Sequence, residues 1–265
     1  MCDLLWVAPA RSASGVALFA KNSDRPPTEV QVWESFAGDI PFVGSRPAWM
    51  QGLEHGVNAA GVAAGNATIY TTLDPRGGPP GLTGMDIVRR VLSTCAWAAE
   101  AVELVGELVS TVGQGGSGHE GVDRPYWSSF LLADPTEAFV VETSGRTWMA
   151  APAGEVRSLS NRTTIPAFDA EHRHPRQPVE TLVDPRLRAS DACLAAPAVS
   201  VEDLQSHLAS HAGGDDGWTI CMHVEGVEQT TASIVAELRP AGASTIWHTQ
   251  ASPCVTPYIK ATATP

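Results

Sequence analysis

Two short runs near the amino terminus decide the fold of this chain: Met1-Cys2-Asp3-Leu4-Leu5-Trp6-Val7 and Gly15-Val16-Ala17-Leu18-Phe19-Ala20-Lys21-Asn22-Ser23-Asp24-Arg25. The polar turn between them and the apolar character of both runs are typical of a β-hairpin. Antiparallel pairing would bring Cys2 next to residues 21–24. The sequence therefore predicts a hairpin whose open end gathers a thiol, an ammonium group and a carboxylate.

Cys2 directly follows the initiator methionine, and its small side chain permits removal of Met1. The mature chain would then begin with a cysteine whose α-amino group lies beside its own thiol. An α-amino group titrates at about 7.7–8.0, which suits a general base at neutral pH, and the thiolate is the reactive form of cysteine. Lys21 could stabilise the thiolate and Asp24 could orient the amine, which is sufficient for acyl transfer. Alternatively, Cys2 is a small apolar residue that begins an edge strand.

Further motifs follow along the rest of the chain. They are Gly61-Val62-Ala63-Ala64-Gly65-Asn66, Gly84-Met85-Asp86-Ile87-Val88-Arg89, Gly113-Gln114-Gly115-Gly116, Ser129-Phe130-Leu131-Leu132-Ala133-Asp134, Leu159-Ser160-Asn161, Ile220-Cys221-Met222-His223 and Thr230-Thr231-Ala232-Ser233. With the amino-terminal hairpin, this ordered set resembles the secernin and C69-type dipeptidase family of N-terminal nucleophile hydrolases. The resemblance implies an α+β, four-layer αββα sandwich, in which two antiparallel sheets pack face to face with helices outside.

The resemblance also implies roles for individual residues. Asn66 matches an oxyanion-hole residue, and Asn161 matches a position that orients the cysteine amine or the substrate. Together with Cys2, Lys21 and Asp24 they form the predicted catalytic set. The predicted substrate-binding residues are Asn22, Thr230 and Thr231. The two threonines are equally typical of an ordinary β-strand.

The predicted activity is hydrolysis of a C–N amide bond in a dipeptide or a small N-acyl amine or amino acid, through a thioester acyl-enzyme. This chemistry requires no cofactor. Two alternatives stay open: an acyltransferase that uses the same acyl-enzyme, and a non-catalytic, secernin-like interaction protein. Departures from the family's pattern support the second alternative. Bile-salt-hydrolase-like relatives carry arginine where this chain has Lys21, and the usual dipeptidase is considerably longer.

Length and composition indicate one globular domain over residues 1–265, with 43% hydrophobic and 17% charged residues. The net charge of −12 argues against nucleic acid or an anionic membrane surface as a partner. No stretch approaches the roughly 18 apolar residues of a membrane span, and the amino terminus does not resemble a signal peptide. We therefore expect a cytoplasmic protein that acts on a small molecule, and homo-oligomerisation stays open.

The cysteines do not form a recognisable metal or disulfide motif. Their positions are Cys2, Cys95, Cys193, Cys221 and Cys254. Because no CxxC spacing occurs, neither a disulfide framework nor a zinc site is predicted. Cys95 and Cys221 fit an apolar core. His207 and His211 have helical i, i+4 spacing, but without a third ligand in reach no metal site is expected.

Periodicity predicts the remaining elements. Apolar stripes over residues 83–95 and 98–112 predict two helices, the first with a Thr83–Asp86 capping box. Runs at 129–133 and 138–142 flank a turn and predict a hairpin. The proline-rich segment 164–199 is predicted to be an irregular, helix-poor excursion that covers the cleft. Its arginines are interpreted as a solvated surface, with recognition of a substrate carboxylate as the alternative. They are Arg173, Arg176, Arg186 and Arg188.

Overall fold

The computed structural model of the chain describes residues 1–76, 78–241 and 244–263. The strands are β1 (Cys2–Val7), β2 (Ala17–Arg25), β3 (Gln31–Phe36), β4 (Phe42–Pro47), β5 (His55–Asn58), β6 (Ala63–Ile69), β7 (Trp127–Ala133), β8 (Ala138–Ser144), β9 (Thr147–Pro152), β10 (Val156–Leu159), β11 (His223–Val224), β12 (Glu228–Leu238), β13 (Thr245–Thr249) and β14 (Ile259–Thr262). The helices are α1 (Gly84–Thr94), α2 (Ala98–Thr111), α3 (Pro166–His172), α4 (Val179–Leu182), α5 (Asp184–Leu194) and α6 (Val201–Leu208).

The strands form two antiparallel sheets. The first has the order β10-β1-β2-β12-β13-β14, with β11 paired to β12, and the second runs β3 to β9 in chain order. Leu4, Trp6 and Phe19 of the first sheet pack against residues such as Leu131 and Val140 of the second. This shared core makes the two sheets the inner layers of the molecule.

The helices form the two outer layers. Apolar side chains of α1 and α2 cover the second sheet, and those of α5 and α6 cover the first. The predicted sandwich of two antiparallel sheets with helices outside is confirmed. None of the helices in the described ranges is long and apolar enough to cross a membrane.

The predicted amino-terminal hairpin is confirmed, and its register decides which side chains meet. Cys2 pairs with Ser23, and Leu4 pairs with Lys21. Because successive side chains of a strand alternate between its faces, Cys2, Lys21 and Ser23 all point between the two sheets. Asp3 points to the opposite side, where α5 lies.

Other predicted elements are also present. Helix α1 begins with the Thr83–Asp86 capping box, in which each residue bonds to the other's backbone N–H. Strands β7 and β8 form the predicted hairpin, with Ala133 opposite Ala138. A second capping box, at Ser200 and Asp203, begins α6.

The prediction of a helix-poor segment at 164–199 was wrong, because this segment contains α3, α4 and α5. Pro166 and Pro185 occupy the first turns of α3 and α5. The first-turn N–H groups of a helix have no intrahelical partner, so proline is tolerated there and its fixed φ favours helix initiation. A high proline content was therefore compatible with helix.

The interpretation of Arg186 as a solvated residue was also wrong. Arg186 of α5 is fully buried and forms an ion pair with Asp3 of β1 at 2.6 Å. Its guanidinium also donates to the carbonyl oxygen of Leu182 and to the side-chain oxygen of Asn161. The pair joins the helical layer to the strand that carries Cys2.

We expect Asp3→Ala to lower the free energy of unfolding by about 3–5 kcal/mol, because it leaves a guanidinium buried without its carboxylate. Urea denaturation measures the difference. The matched control is Asp74→Ala, which breaks an exposed ion pair with Arg76 and should change stability little. Equal effects of the two substitutions would contradict a structural role for the Asp3–Arg186 pair.

Candidate active site

A cavity of about 210 Å³ lies at the open end of the amino-terminal hairpin. Its walls come from both sheets, from the proline-rich segment, and from the loops that carry residues 118–126 and Trp218. They include Met1, Cys2, Asp24, Glu54, Asn66, Thr68, Tyr70, His119, Arg124, Tyr126, Asn161, Gln177, Pro178, Leu182, Val183, Trp218 and Glu228. Residues 177–183 thus border the cavity, in agreement with the predicted covering role of that segment.

Cys2 lies at the base of this cavity, and Lys21 approaches it from within the core. The Cys2 side chain is buried, and the Lys21 ammonium group lies 3.4 Å from its sulfur. Burial raises the pKa of the Cys2 thiol above its ordinary value, and the positive charge of Lys21 opposes this rise. Lys21 is thus placed to favour the thiolate.

The Lys21 ammonium group is fully buried among polar partners. It donates a short hydrogen bond to Ser23 and forms an ion pair with Glu54 at 3.5 Å. Burial by itself raises the pKa of the Glu54 carboxyl, but Arg25 and Lys21 bring it below its ordinary value. Glu54 therefore stays ionised and compensates part of the buried positive charge.

Ser23 extends this network to a second buried side chain. Its hydroxyl lies 3.1 Å from Nδ1 of His55. Burial, with the nearby Lys21, lowers the pKa of His55 well below its ordinary value, so the imidazole is neutral. Since an ammonium group only donates, Ser23 accepts from Lys21 and can donate its own hydrogen to His55.

Gly65 makes room for Lys21. A Cβ at this position of β6 would lie 2.8 Å from Cδ of Lys21 and 3.1 Å from a methyl carbon of Leu4. Gly65 therefore lets β6 pack closely against the strands of the first sheet that carry Lys21 and Leu4.

Asn161 holds the main-chain nitrogen of Cys2. Its side-chain oxygen accepts from that N–H at 2.9 Å and from Arg186 at 3.1 Å. Its amide nitrogen donates to the carbonyl oxygen of Thr68 at 2.9 Å. With both ends of the amide occupied, the oxygen is fixed toward the nitrogen that would become the α-amino group after removal of Met1.

Met1 occupies part of the cavity. Its amino group donates to the carbonyl oxygen of Asp24 at 3.0 Å and forms a close ion pair with Glu228. Its sulfur lies 3.2 Å from the guanidinium of Arg186. Removal of Met1 would therefore enlarge the cavity directly beside Cys2 and free the carboxylate of Glu228.

Asp24 is held by a β-bulge. The register between β2 and β12 shifts at Thr231, so Thr230 pairs with Asp24 and Ala232 with Ser23. The Thr230 hydroxyl donates to one carboxylate oxygen of Asp24 at 2.7 Å, and the other oxygen is buried without a hydrogen-bond partner among the described residues. Burial raises the pKa of the Asp24 carboxyl to about 6.

Asn66 lines the cavity from the second sheet. Its amide nitrogen lies 3.5 Å from the sulfur of Met85, which also accepts from the Tyr126 hydroxyl at 2.9 Å. Burial raises the pKa of Tyr126, so its hydroxyl remains a donor. Gly84 permits this arrangement, since a Cβ there would lie 2.4 Å from the Asn66 amide nitrogen. Asn66 and Tyr126 thus place two donors on the cavity wall.

The structure brings the predicted catalytic residues together and places the predicted substrate-binding residues outside the described cavity lining. Cys2, Asp24, Asn66 and Asn161 line the cavity, and Lys21 contacts Cys2 from the core. Asn22, Thr230 and Thr231 lie outside the described lining. The Asn22 amide donates to the carbonyl oxygens of Leu208 and Ile220, and both threonines bond to β2. All three hold the scaffold in place.

Sequence reasoning missed several polar residues of the site. They are Ser23, Glu54, Tyr126 and Glu228. Ser23 could have been found, because it shares the inward face of β2 with Lys21. Glu54, Tyr126 and Glu228 come from distant segments, and no local pattern marks them.

No protein-family model matches the sequence. Solved structures do share its architecture. A variant of conjugated bile acid hydrolase from Clostridium perfringens is 12% identical, with a TM-score of 0.59 over 94% of this chain and 89% of that chain. Penicillin V acylase from Agrobacterium tumefaciens is 13% identical, with a TM-score of 0.56 over 95% of this chain and 83% of that chain.

The Caenorhabditis elegans ortholog of N-acylethanolamine-hydrolyzing acid amidase is 12% identical, with a TM-score of 0.55 over 89% of this chain and 92% of that chain. The chain has the N-terminal nucleophile hydrolase fold. At these identities the similarity establishes the fold alone. The secernin and C69-type part of the resemblance stays a prediction, and so does each residue's role within the N-terminal nucleophile fold.

We expect Gly65→Ala to displace Lys21 from the Cys2 sulfur, because the new methyl group would overlap the lysine side chain. Labelling of Cys2 by iodoacetamide at neutral pH should slow by roughly tenfold, since the thiolate loses its nearest positive charge. The control is a double-mutant cycle with Lys21→Met. A Gly65→Ala effect of the same size in the Lys21→Met background would contradict this explanation.

Proposed function

We propose that this protein is an N-terminal-cysteine amidohydrolase that cleaves the amide bond of a dipeptide or a similarly small aminoacyl compound. The observation that carries the proposal is the contact of Asn161 with the main-chain nitrogen of Cys2, in a cavity where Lys21 lies 3.4 Å from the sulfur of the same residue. Removal of Met1 would free the α-amino group of Cys2. The nucleophile and its base would then belong to one residue, with Asn161 and Lys21 already in contact with it.

In the first half-reaction, the free α-amino group of Cys2 takes the thiol proton and the thiolate attacks the substrate carbonyl carbon. Asn161 orients the amine, and Lys21 stabilises the thiolate before attack. The Asn66 amide, with the Tyr126 hydroxyl beside it, stabilises the oxyanion of the tetrahedral intermediate. The C–N bond then breaks, and the leaving amine takes the proton from the Cys2 ammonium group.

In the second half-reaction, water attacks the thioester carbonyl and gives one proton to the Cys2 amine. The C–S bond breaks, the carboxylic acid leaves and the thiol is restored. Asp24 lines the same cavity and could bind the protonated amine through the carboxylate oxygen that has no hydrogen bond in the described structure. The Cys2 amine would thus serve as the base in both half-reactions.

The contacts of Met1 support an aminoacyl substrate over an uncharged N-acyl amine. The Met1 amino group, which is one peptide unit from Cys2 along the chain, forms an ion pair with Glu228 on the cavity wall. A dipeptide likewise carries its ammonium group close to the bond that is cleaved. Once Met1 has been removed, Glu228 could bind that ammonium group.

The named functions of proteins with this fold support amide hydrolysis in general. They are a conjugated bile acid hydrolase, a penicillin V acylase and an N-acylethanolamine-hydrolyzing acid amidase. These names support the reaction class and leave the substrate open. The aminoacyl specificity proposed for this chain rests on Glu228.

The proposal is tested by comparing chains with a free and a blocked Cys2 amine. Intact mass should show loss of Met1 in the natural chain, and Cys2 should react with iodoacetamide faster than the other four cysteines. A variant with leucine inserted after Met1 keeps Cys2 in a peptide bond. We expect that variant and Cys2→Ala to lose dipeptide hydrolysis by roughly a thousandfold or more.

Two results would overturn the mechanism. One is retention of Met1 with a Cys2 that reacts no faster than the other cysteines, which would favour the interaction-protein alternative. The other is full activity of the leucine-insertion variant, because a blocked amine could not act as the base.

Glu228→Gln tests the substrate class separately. It should raise KM for dipeptides with a free amino group by roughly 10- to 100-fold, since a hydrogen bond to a charged group contributes about 1.5–3 kcal/mol. N-acetylated dipeptides should be unaffected. The matched control is Glu225→Gln, at an exposed position of the same turn. Equal effects on free and acetylated substrates would exclude Glu228 as the ammonium-binding residue.

A further inference from the structure

Four metal-binding side chains converge at a point that the proposed hydrolysis does not use. They are His211, Cys221, His223 and Cys254, and their ligand atoms all lie within 4.8 Å of one another. His211 follows α6 and Cys221 precedes β11. His223 is the first residue of β11, and Cys254 lies between β13 and β14. None of the four is among the described residues that line the cavity.

From this cluster, we propose that the chain binds one Zn²⁺ ion in a structural Cys₂His₂ site formed by His211, Cys221, His223 and Cys254. Two thiolates and two imidazoles are a donor set that zinc prefers, and four protein ligands leave no open position for substrate. Binding releases the two thiol protons to solvent, because only the thiolates coordinate zinc.

The distances within the cluster fit a tetrahedral ion. With Zn–S of about 2.3 Å and Zn–N of about 2.0 Å, neighbouring sulfur and nitrogen ligands lie about 3.5 Å apart. The Cys221 sulfur lies 3.5 Å from Nε2 of His223, and that nitrogen lies 3.1 Å from the Cys254 sulfur. The rings of His211 and His223 meet edge to face, with centroids 5.2 Å apart. Only small shifts would bring all four atoms around one ion.

The surroundings of the cluster also suit a metal. Among the described residues, the imidazoles of His211 and His223 have no hydrogen-bond partner outside the four side chains. A disulfide between the two cysteines would leave both imidazoles without a role, whereas a zinc ion uses all four side chains.

The site would stabilise one wall of the cavity. The loop from His211 to His223 carries Trp218, and β11 leads into β12, which begins at the cavity residue Glu228. A zinc ion would connect this loop to the segment that contains Cys254. The ion would join three segments of the chain: the residues after α6, the start of β11, and the loop between β13 and β14.

The zinc content is measured on the full chain, purified in the presence of a reductant. We expect one zinc per chain by elemental analysis after extensive dialysis. Replacement by Co²⁺ should give thiolate charge-transfer absorption and the intense visible bands of tetrahedral cobalt. A chelator should lower the melting temperature of the wild-type chain. These readouts do not depend on the proposed hydrolysis, so failure of either proposal is recognised separately.

Variants locate the ion. His211→Ala and Cys254→Ser alter exposed or half-buried ligands, and we expect both to reduce bound zinc to background and to abolish the effect of the chelator. Cys193→Ser replaces a half-buried thiol outside the cluster and should keep one zinc. Cys2→Ala should also keep it, because the active-site thiol is not a ligand. The cobalt spectrum of the wild-type chain gives a test that requires no variant to fold.

Three results would overturn the proposal. The first is wild-type chain without stoichiometric zinc and without thiolate–cobalt absorption. The second is zinc that is lost in Cys2→Ala but kept in Cys254→Ser, which would place the ion in the cavity. The third is a disulfide between Cys221 and Cys254 in the reductant-treated protein, recognised by failure of both thiols to react with an alkylating agent.

Discussion

The buried ammonium group of Lys21 is the constraint on which the candidate site depends. A charge enclosed between two sheets is costly unless polar partners compensate it. Here the compensation comes from Ser23 and the Cys2 sulfur of the first sheet, and from Glu54, which directly precedes β5 of the second sheet. Gly65 leaves the space that the lysine side chain fills. The position of the charge and the position of the nucleophile are therefore determined together, by the packing of one sheet on the other.

A second buried ion pair links the nucleophile to the outer helical layer. Asp3 lies next to Cys2 in β1 but points to the opposite face, where it meets Arg186 of α5. Arg186 also contacts the oxygen of Asn161, which accepts from the Cys2 main-chain nitrogen. Contacts on the two faces of β1 thus position the sulfur and the main-chain nitrogen of Cys2. Lys21 approaches the sulfur from the core, and Arg186 orients the nitrogen through Asn161.

Loops form part of the cavity wall. His119, Arg124 and Tyr126 lie on the loop before β7, and Trp218 lies on the loop that leads to the four-residue cluster of cysteines and histidines. Glu228 lies at the start of β12, directly after β11. The proposed zinc ion and the proposed ammonium-binding residue therefore act on the same side of the cavity. Metal binding would influence how well a substrate is held there more than the reactivity of the Cys2 thiol.

The sequence by itself determined the local features of this protein. Strand alternation and turn residues predicted the hairpin that brings Cys2 to Lys21, and helical periodicity with a capping box predicted α1. The proline-rich segment misled because the effect of proline depends on its position in a helix, and Pro166 and Pro185 lie in first turns. Only the tertiary structure decided which side chains form ion pairs with the buried charged groups. The contacts of Arg186 with Asp3 and of Glu54 with Lys21 join residues far apart in the chain, and no periodic pattern encodes such pairs because they form only when separate layers pack together.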